Sequence, residues 1–150
     1  SKKRRKMSEL NFKISAESKS ATKVIAKARQ FEIIIDEPQD LGGKDEAPNP
    51  VETLLASYAG CFNVVLHLLA KERNIEINHL KIDINGNINP QKLLGISKEE
   101  RAGFKNIDLD ITIDSSAEKS VIENLIKDAK ERCPINDNLS NPTPVNFQLN

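Results

Sequence analysis

Two residues in this chain could do covalent chemistry that no others in it could: Cys61 and Cys133, its only cysteines. A thiolate is a nucleophile towards peroxides and disulfides, and a second thiol within reach converts the first oxidation product into a disulfide before it is over-oxidised. A lone buried cysteine is otherwise a small hydrophobe. The two possibilities part on whether folding brings the sulfurs together, which spacing along the chain does not decide.

Cys61 lies within "NPVETLLASYAGCFNVVLHLL", residues 49–69. Asn49 is placed to cap a helix, Pro50 suits the first helical position, and Glu52 can reach back to the cap amide as in a capping box. At roughly 100° per residue, Thr53, Ser57, Gly60, Asn63, Val64 and His67 share one arc. Leu54, Leu55, Tyr58, Phe62, Val65, Leu66, Leu68 and Leu69 fill the remainder, so this helix must be wrapped on most sides. Cys61 stands roughly 40° from Ser57, at the edge of the polar arc, where it can face a small pocket. The helix has the length of a membrane span, but Glu52, Asn63 and His67 interrupt it, and no membrane role is expected.

Cys133 follows a second helix, read from a Ser115/Glu118 capping box through Arg132. Its buried face is Val121, Ile122, Leu125, Ile126 and Ala129, and Pro134 stops it. At that end the helix dipole opposes a thiolate, with Arg132 and Lys130 near in sequence. Cys61 is therefore the better attacking group, with Cys133 as its resolving partner. Three turns into its helix, Cys61 is beyond the reach of the dipole and needs an external cation. Arg29, Lys19, Lys23 and Lys27 are the candidates from the strands ahead of it.

The remaining elements are strands. "NFKIS", "TKVIAKA" and "FEIIID" between residues 11 and 36 predict a hairpin or meander with a turn at "ARQ". "EPQDLGGKDEAPNP" is a surface loop, and its two glycines lack the pattern of a phosphate-binding loop. "IEINHLKIDINGNI" and "GFKNIDLDITID" alternate apolar and polar residues and predict antiparallel partners across a polar excursion, "PQKLLGISKEERA". "PVNFQL" predicts a closing edge strand. The order β-β-β-α-β-β-α-β is that of an α+β protein with two helices packed on antiparallel sheet. Apolar surface left over on the first helix predicts a homodimer.

The motifs around the two cysteines carry a resemblance. "NPVETLLASYAGC" resembles the central-helix signature of the osmotically inducible protein C and organic hydroperoxide resistance family (OsmC/Ohr), and "ERCPI" resembles that family's second cysteine motif. "DEPQDLGGKDEAPNP" is similar to the family's loop before the helix, and the likeness runs over about residues 31–140. The resemblance implies an intertwined homodimer in which antiparallel sheets of both subunits surround two central helices. It implies that Cys61 attacks an organic hydroperoxide, that Cys133 closes a disulfide on the resulting sulfenic acid, and that an external dithiol or lipoyl group, rather than a bound cofactor, restores the thiols. Peroxidase members hold an arginine with a glutamate ten residues before the first cysteine. Here that position is Val51, and Glu52, one residue later and about 100° further around the helix, is the candidate for holding the cation beside Cys61. Leu54, Tyr58, Phe62 and Val65 are the expected walls for an apolar peroxide tail.

Composition bounds the alternatives. A chain of 150 residues with zero formal net charge supports one domain, residues 11–150, and no overall field towards nucleic acid or membrane. The basic run "SKKRRK" is read with residues 1–10 as a tail, and nucleic-acid binding through it as a lesser alternative. No apolar stretch follows that run as in a secretory signal, so a cytoplasmic protein is expected. His67 and His79, the only histidines, lack the spacing of zinc ligands with the cysteines. The competing functional class is a non-enzymatic dimer that binds an apolar thiol-reactive molecule or senses redox state.

Overall fold

The structure is a computed structural model, and it describes residues 8–150. The basic run at residues 2–6 lies outside the described residues. The chain divides after Thr53, in the first turn of a long helix, into two compact units.

The N-terminal unit is an antiparallel meander of β1 (Ser15–Ser18), β2 (Val24–Ala28) and β3 (Phe31–Ile35), in that order across the sheet. Ser15 pairs with Lys27, and Ala28 pairs with Phe31 beside the turn, where Arg29 takes a left-handed φ of 55°. This register corrects the expected first strand. Asn11–Ile14 do not join the sheet: the ladder begins at Ser15 opposite Lys27, and the same register carried back would set Lys13 against Arg29 in the turn, with Asn11 and Phe12 beyond it. The β1–β2 turn is closed by Lys19 N–H donating to the Lys23 carbonyl, with the Ser20 hydroxyl accepting from the amides of Thr22 and Lys23.

Beyond β3 the predicted loop is irregular apart from a 3₁₀ turn at Gln39–Leu41. Both glycines are needed there. Gly42 ends the turn at φ 89°, and a Cβ on Gly43 would overlap the Glu37 carbonyl. The loop is tied down by Asp36, which is 1% exposed and accepts from the Thr22 hydroxyl at 2.7 Å and from the Glu46 amide at 3.2 Å. The Thr22 hydroxyl first and the Glu37 amide next hold its carboxyl below the ordinary carboxylate range; burial opposes them, and the amides of Glu46 and Lys44 add to the lowering.

The long helix, α1 (Pro50–Glu72), starts as the sequence predicts. The Asn49 amide donates to Glu52 Oε1 at 3.0 Å and the Glu52 amide to Asn49 Oδ1 at 2.8 Å, a complete capping box. By length and composition α1 could cross a membrane. From Tyr58 onward one stripe of it, with Phe62, Val65, Leu66, Leu69 and Ala70, lies in the core of the C-terminal unit.

That core is completed by β4 (His79–Gly86), β5 (Ile107–Asp114) and α2 (Lys119–Arg132). The two strands pair antiparallel with Leu80 opposite Ile113, Ile82 opposite Ile111 and Ile84 opposite Leu109, so the apolar halves of both alternations share one face. α2 contributes Leu125 and Ala129. Its predicted capping box is not formed. The Ser115 hydroxyl instead donates to the Glu76 carbonyl at 2.6 Å, and Glu118 takes the cap position without a side-chain bond. Ser115 directly follows β5, and the segment leading into β4 claims it.

Two corrections concern the C-terminus. Pro134 ends α2 as expected but opens a further helix, α3 (Pro134–Ser140), which the sequence reading lacked. The predicted edge strand "PVNFQL" has no regular structure, and Phe147 is 95% exposed. Among the described residues the segment's backbone has no neighbouring strand to pair with, since the two sheets consist of β1–β2–β3 and of β4–β5 alone.

Candidate functional site

The two cysteines meet. α1 carries Cys61 on the flank of its buried stripe, and the junction of α2 and α3 carries Cys133, fully buried, with its sulfur 3.1 Å from that of Cys61. Both are free thiols. A disulfide has its sulfurs about 2.05 Å apart, so closure requires a movement of roughly an ångström.

The two sulfurs differ in surroundings. Cys133 packs among Leu125, Ala129 and the α1 stripe, and burial pushes its thiol up from the ordinary range. The Asn136 amide pulls in the other direction, and the hydrogen bond and charge of Cys61 add to the rise. Cys133 therefore keeps its proton, donates it towards Cys61, and leaves the half-buried Cys61 sulfur as the acceptor.

The sequence predicts a helix C-terminus opposing a Cys133 thiolate. The structure adds a second feature: Cys133 is also the N-terminal cap of α3, and its sulfur accepts from the Asn136 amide at 3.5 Å. Arg132 does not serve the sulfur. Its guanidinium forks onto Glu72 at 3.0 and 3.1 Å, joining the ends of α1 and α2. Arg73 pairs with Asp128 alongside.

Of the expected pocket walls, Tyr58, Phe62 and Val65 are buried members of the core cluster, with Tyr58 and Phe62 edge to face at 6.3 Å between ring centres. Leu54 is exposed. Tyr58 has a polar role that its reading as an apolar wall missed: its hydroxyl donates to Asn136 Oδ1 at 2.5 Å. Burial first, then the charges of Cys133 and Cys61, push its phenol up, so it remains a donor. Asn136 itself was missed. The available signal was Pro134 directly after Cys133, since proline is favoured at the first position of a helix.

The residues proposed to activate Cys61 lie in the N-terminal unit. Glu52 is engaged in the capping box. Arg29 stacks on Phe31, its guanidinium 5.0 Å from the ring centre. Lys23 pairs with Glu46, Lys19 with Glu17, and Lys27 lies opposite Glu32 in the sheet register. His67 donates from Nδ1 to the Asn63 carbonyl one turn back. Among the described residues, no group of three or more His, Cys, Asp or Glu side chains could hold a metal ion.

Comparison with known proteins bears on this arrangement. The model of the OsmC-like protein family matches residues 43–148, which include both cysteines. No curated protein matches the chain. Among solved structures, an OsmC-like protein from Mycoplasma pneumoniae superposes with a TM-score of 0.78 at 23% identity, over 90% of this chain and 91% of that one. An organic hydroperoxide resistance protein OsmC from Legionella pneumophila gives 0.66 at 21% identity, over 87% and 90% of the two chains. An organic hydroperoxide resistance protein from Elizabethkingia anophelis gives 0.62 at 20% identity, over 87% and 88%. With that fold, and a family match spanning most of the chain and both thiols, the protein belongs to the OsmC-like family.

Proposed function

We propose that the protein is a cysteine-based peroxidase that reduces organic hydroperoxides. The observation that carries this is the free thiol pair at 3.1 Å, with one sulfur half-buried and the other sealed in the core. The Cys61 thiolate attacks the outer peroxide oxygen. The O–O bond breaks, the alkoxide leaves with a proton as an alcohol, and Cys61 becomes a sulfenic acid. Cys133 then attacks that sulfur, water leaves, and a disulfide forms. An external dithiol or lipoylated protein reduces it through two exchanges and ends as a disulfide itself. Proximity favours the second step, because the resolving thiol is held beside its target.

Family membership and the relatives named as hydroperoxide resistance proteins support this reading. A homodimer in the cytoplasm completes it. Val64 and Leu68 on α1 are 63% and 49% exposed, apolar surface suited to a second subunit. Organic rather than hydrogen peroxide is the proposed substrate because the Cys61 surroundings are apolar, with Tyr58, Phe62 and Val65 on its helix.

Treating the reduced protein with one equivalent of cumene hydroperoxide should remove both thiols and yield an intrachain disulfide within minutes. Cys61→Ser should abolish the reaction. Cys133→Ser should permit one round and leave a sulfenic acid that dimedone traps. Thiols that persist under a modest excess of peroxide would exclude peroxidase activity. If the same protein still exchanged with oxidised glutathione, redox sensing would become the better account.

A further inference from the structure

Asn136 makes three hydrogen bonds, one to a thiol of the pair and two to the helices on either side of it. Its side-chain Oδ1 accepts from the Tyr58 hydroxyl at 2.5 Å, its Nδ2 donates to the Lys130 carbonyl at 3.0 Å, and its main-chain amide donates to the Cys133 sulfur at 3.5 Å. Lys130 is in the last turn of α2, where carbonyls have no partner within the helix. Tyr58 is 5% exposed and one turn before Cys61 on α1. A single carboxamide therefore ties α1, the end of α2 and the start of α3 together around the two sulfurs.

This geometry matters because Cys133 sits at the joint between two helices. Nothing in the covalent chain alone holds that joint against α1. The Arg132–Glu72 fork joins the two long helices at an exposed position, whereas the Tyr58–Asn136 bond crosses from α1 to α3 at a part-buried one. A hydrogen bond of that kind is stronger where water competes less. It survives only in a narrow range of positions for α3, and those positions keep the Cys133 sulfur beside Cys61.

We propose that Asn136, anchored by Tyr58, is a positioning residue that fixes the Cys133 sulfur over Cys61 and thereby sets how readily the Cys61–Cys133 disulfide forms and is reduced. The proposal rests on the two thiols forming a redox pair, but not on peroxide being the oxidant. Two thiols held in register close a disulfide at high effective concentration, and a loosened joint lowers that concentration without removing either thiol.

The test is the equilibrium of the full-length protein with glutathione: the dithiol and oxidised glutathione give the protein disulfide and two reduced glutathiones. Tyr58→Phe removes one oxygen and keeps the ring in the core. Asn136→Ala removes both side-chain bonds, and the double variant completes a cycle. Tyr58→Phe should lower the equilibrium constant for disulfide formation about fivefold, and Asn136→Ala about 25-fold, as expected for one and two lost hydrogen bonds. The double variant should match Asn136→Ala, because the two single changes break a shared bond.

Constants within twofold of wild type in both single variants would overturn the proposal. So would single effects that multiply in the double variant, which would reveal independent packing defects. A wild-type protein that closes its disulfide with glutathione yet ignores peroxide would sink the peroxidase reading and leave this test standing. A pair that never closes with oxidised glutathione would overturn the positioning role itself.

Discussion

In the C-terminal unit, nine side chains from Tyr58 to Cys133 form a buried apolar cluster, and isoleucines and leucines of β4 and β5 pack against it. Among the described residues of the N-terminal unit, the buried side chains are Ala26 and the carboxylate of Asp36, while Phe31, Ile33 and Ile34 of β3 stay exposed. One unit is held by area removed from water, the other by turn chemistry, strand pairing and a buried carboxylate whose acceptors are filled. The difference teaches where redox chemistry can be housed. A thiol that must keep its proton needs the first kind of surroundings, because only a packed apolar core removes the water that would stabilise its charge.

The comparison can be broken by substitutions matched to each unit. Leu125→Ala, at a fully buried site, should cost about 2–5 kcal/mol in urea unfolding, the range for leucine removal from a packed interior. An exposed-like cost below 1 kcal/mol would show that the cluster is loosely packed. Asp36→Ala should destabilise less and locally. Hydrogen exchange at the Glu46 amide, which Asp36 now accepts, should accelerate, while the β4–β5 amides keep their protection.

Smaller effects sharpen the contrast between the two helix starts. Asn49→Ala should cost about 1 kcal/mol, the usual loss for a cap whose side chain bonds an amide. Glu118→Ala, at a cap position that makes no such bond, should stay within about 0.5 kcal/mol. Equal losses at the two sites would mean that the capping box contributes nothing beyond helix propensity.

The pH dependence should separate Asp36 from Cys133 by direction. Asp36 has a folded carboxyl held below its unfolded value, so its contribution is whole at neutral pH and is lost as pH falls below about 4 towards the folded value. Asp36→Asn should flatten that acid limb of a thermal-unfolding profile. Cys133 has the opposite sign. Its folded thiol is raised, so its contribution is whole below about pH 8.5 and is lost as pH rises towards the folded value. Cys133→Ala should flatten the alkaline limb of the reduced protein and leave the acid limb unchanged.

What could be read from the sequence followed from locality. The α1 capping box needs only residues 49–52, and it forms as expected. The alternations of β4 and β5 need only period two against one core, and their apolar faces coincide. Where a residue had two possible partners, local reading chose the near one. Ser115 left its predicted cap for the Glu76 carbonyl, a partner 39 residues away. Asn11–Lys13 looked like strand, but the register runs them past the end of β2. Tyr58 looked like an apolar wall because nothing near it in the chain reveals a hydroxyl acceptor 78 positions away.

Residue types and period therefore determined α1, α2, the β2–β3 and β4–β5 pairs, the two thiols and the family motifs, because each is fixed by short-range sterics, capping and the spacing of apolar side chains. Only tertiary structure decided that the sulfurs lie 3.1 Å apart, that one is sealed and the other is not, and that Asn136 stands between Tyr58 and Cys133. Those facts depend on how α1, α2 and α3 close on one another. That closure is set by the whole buried surface acting together, a quantity no stretch of the chain contains by itself.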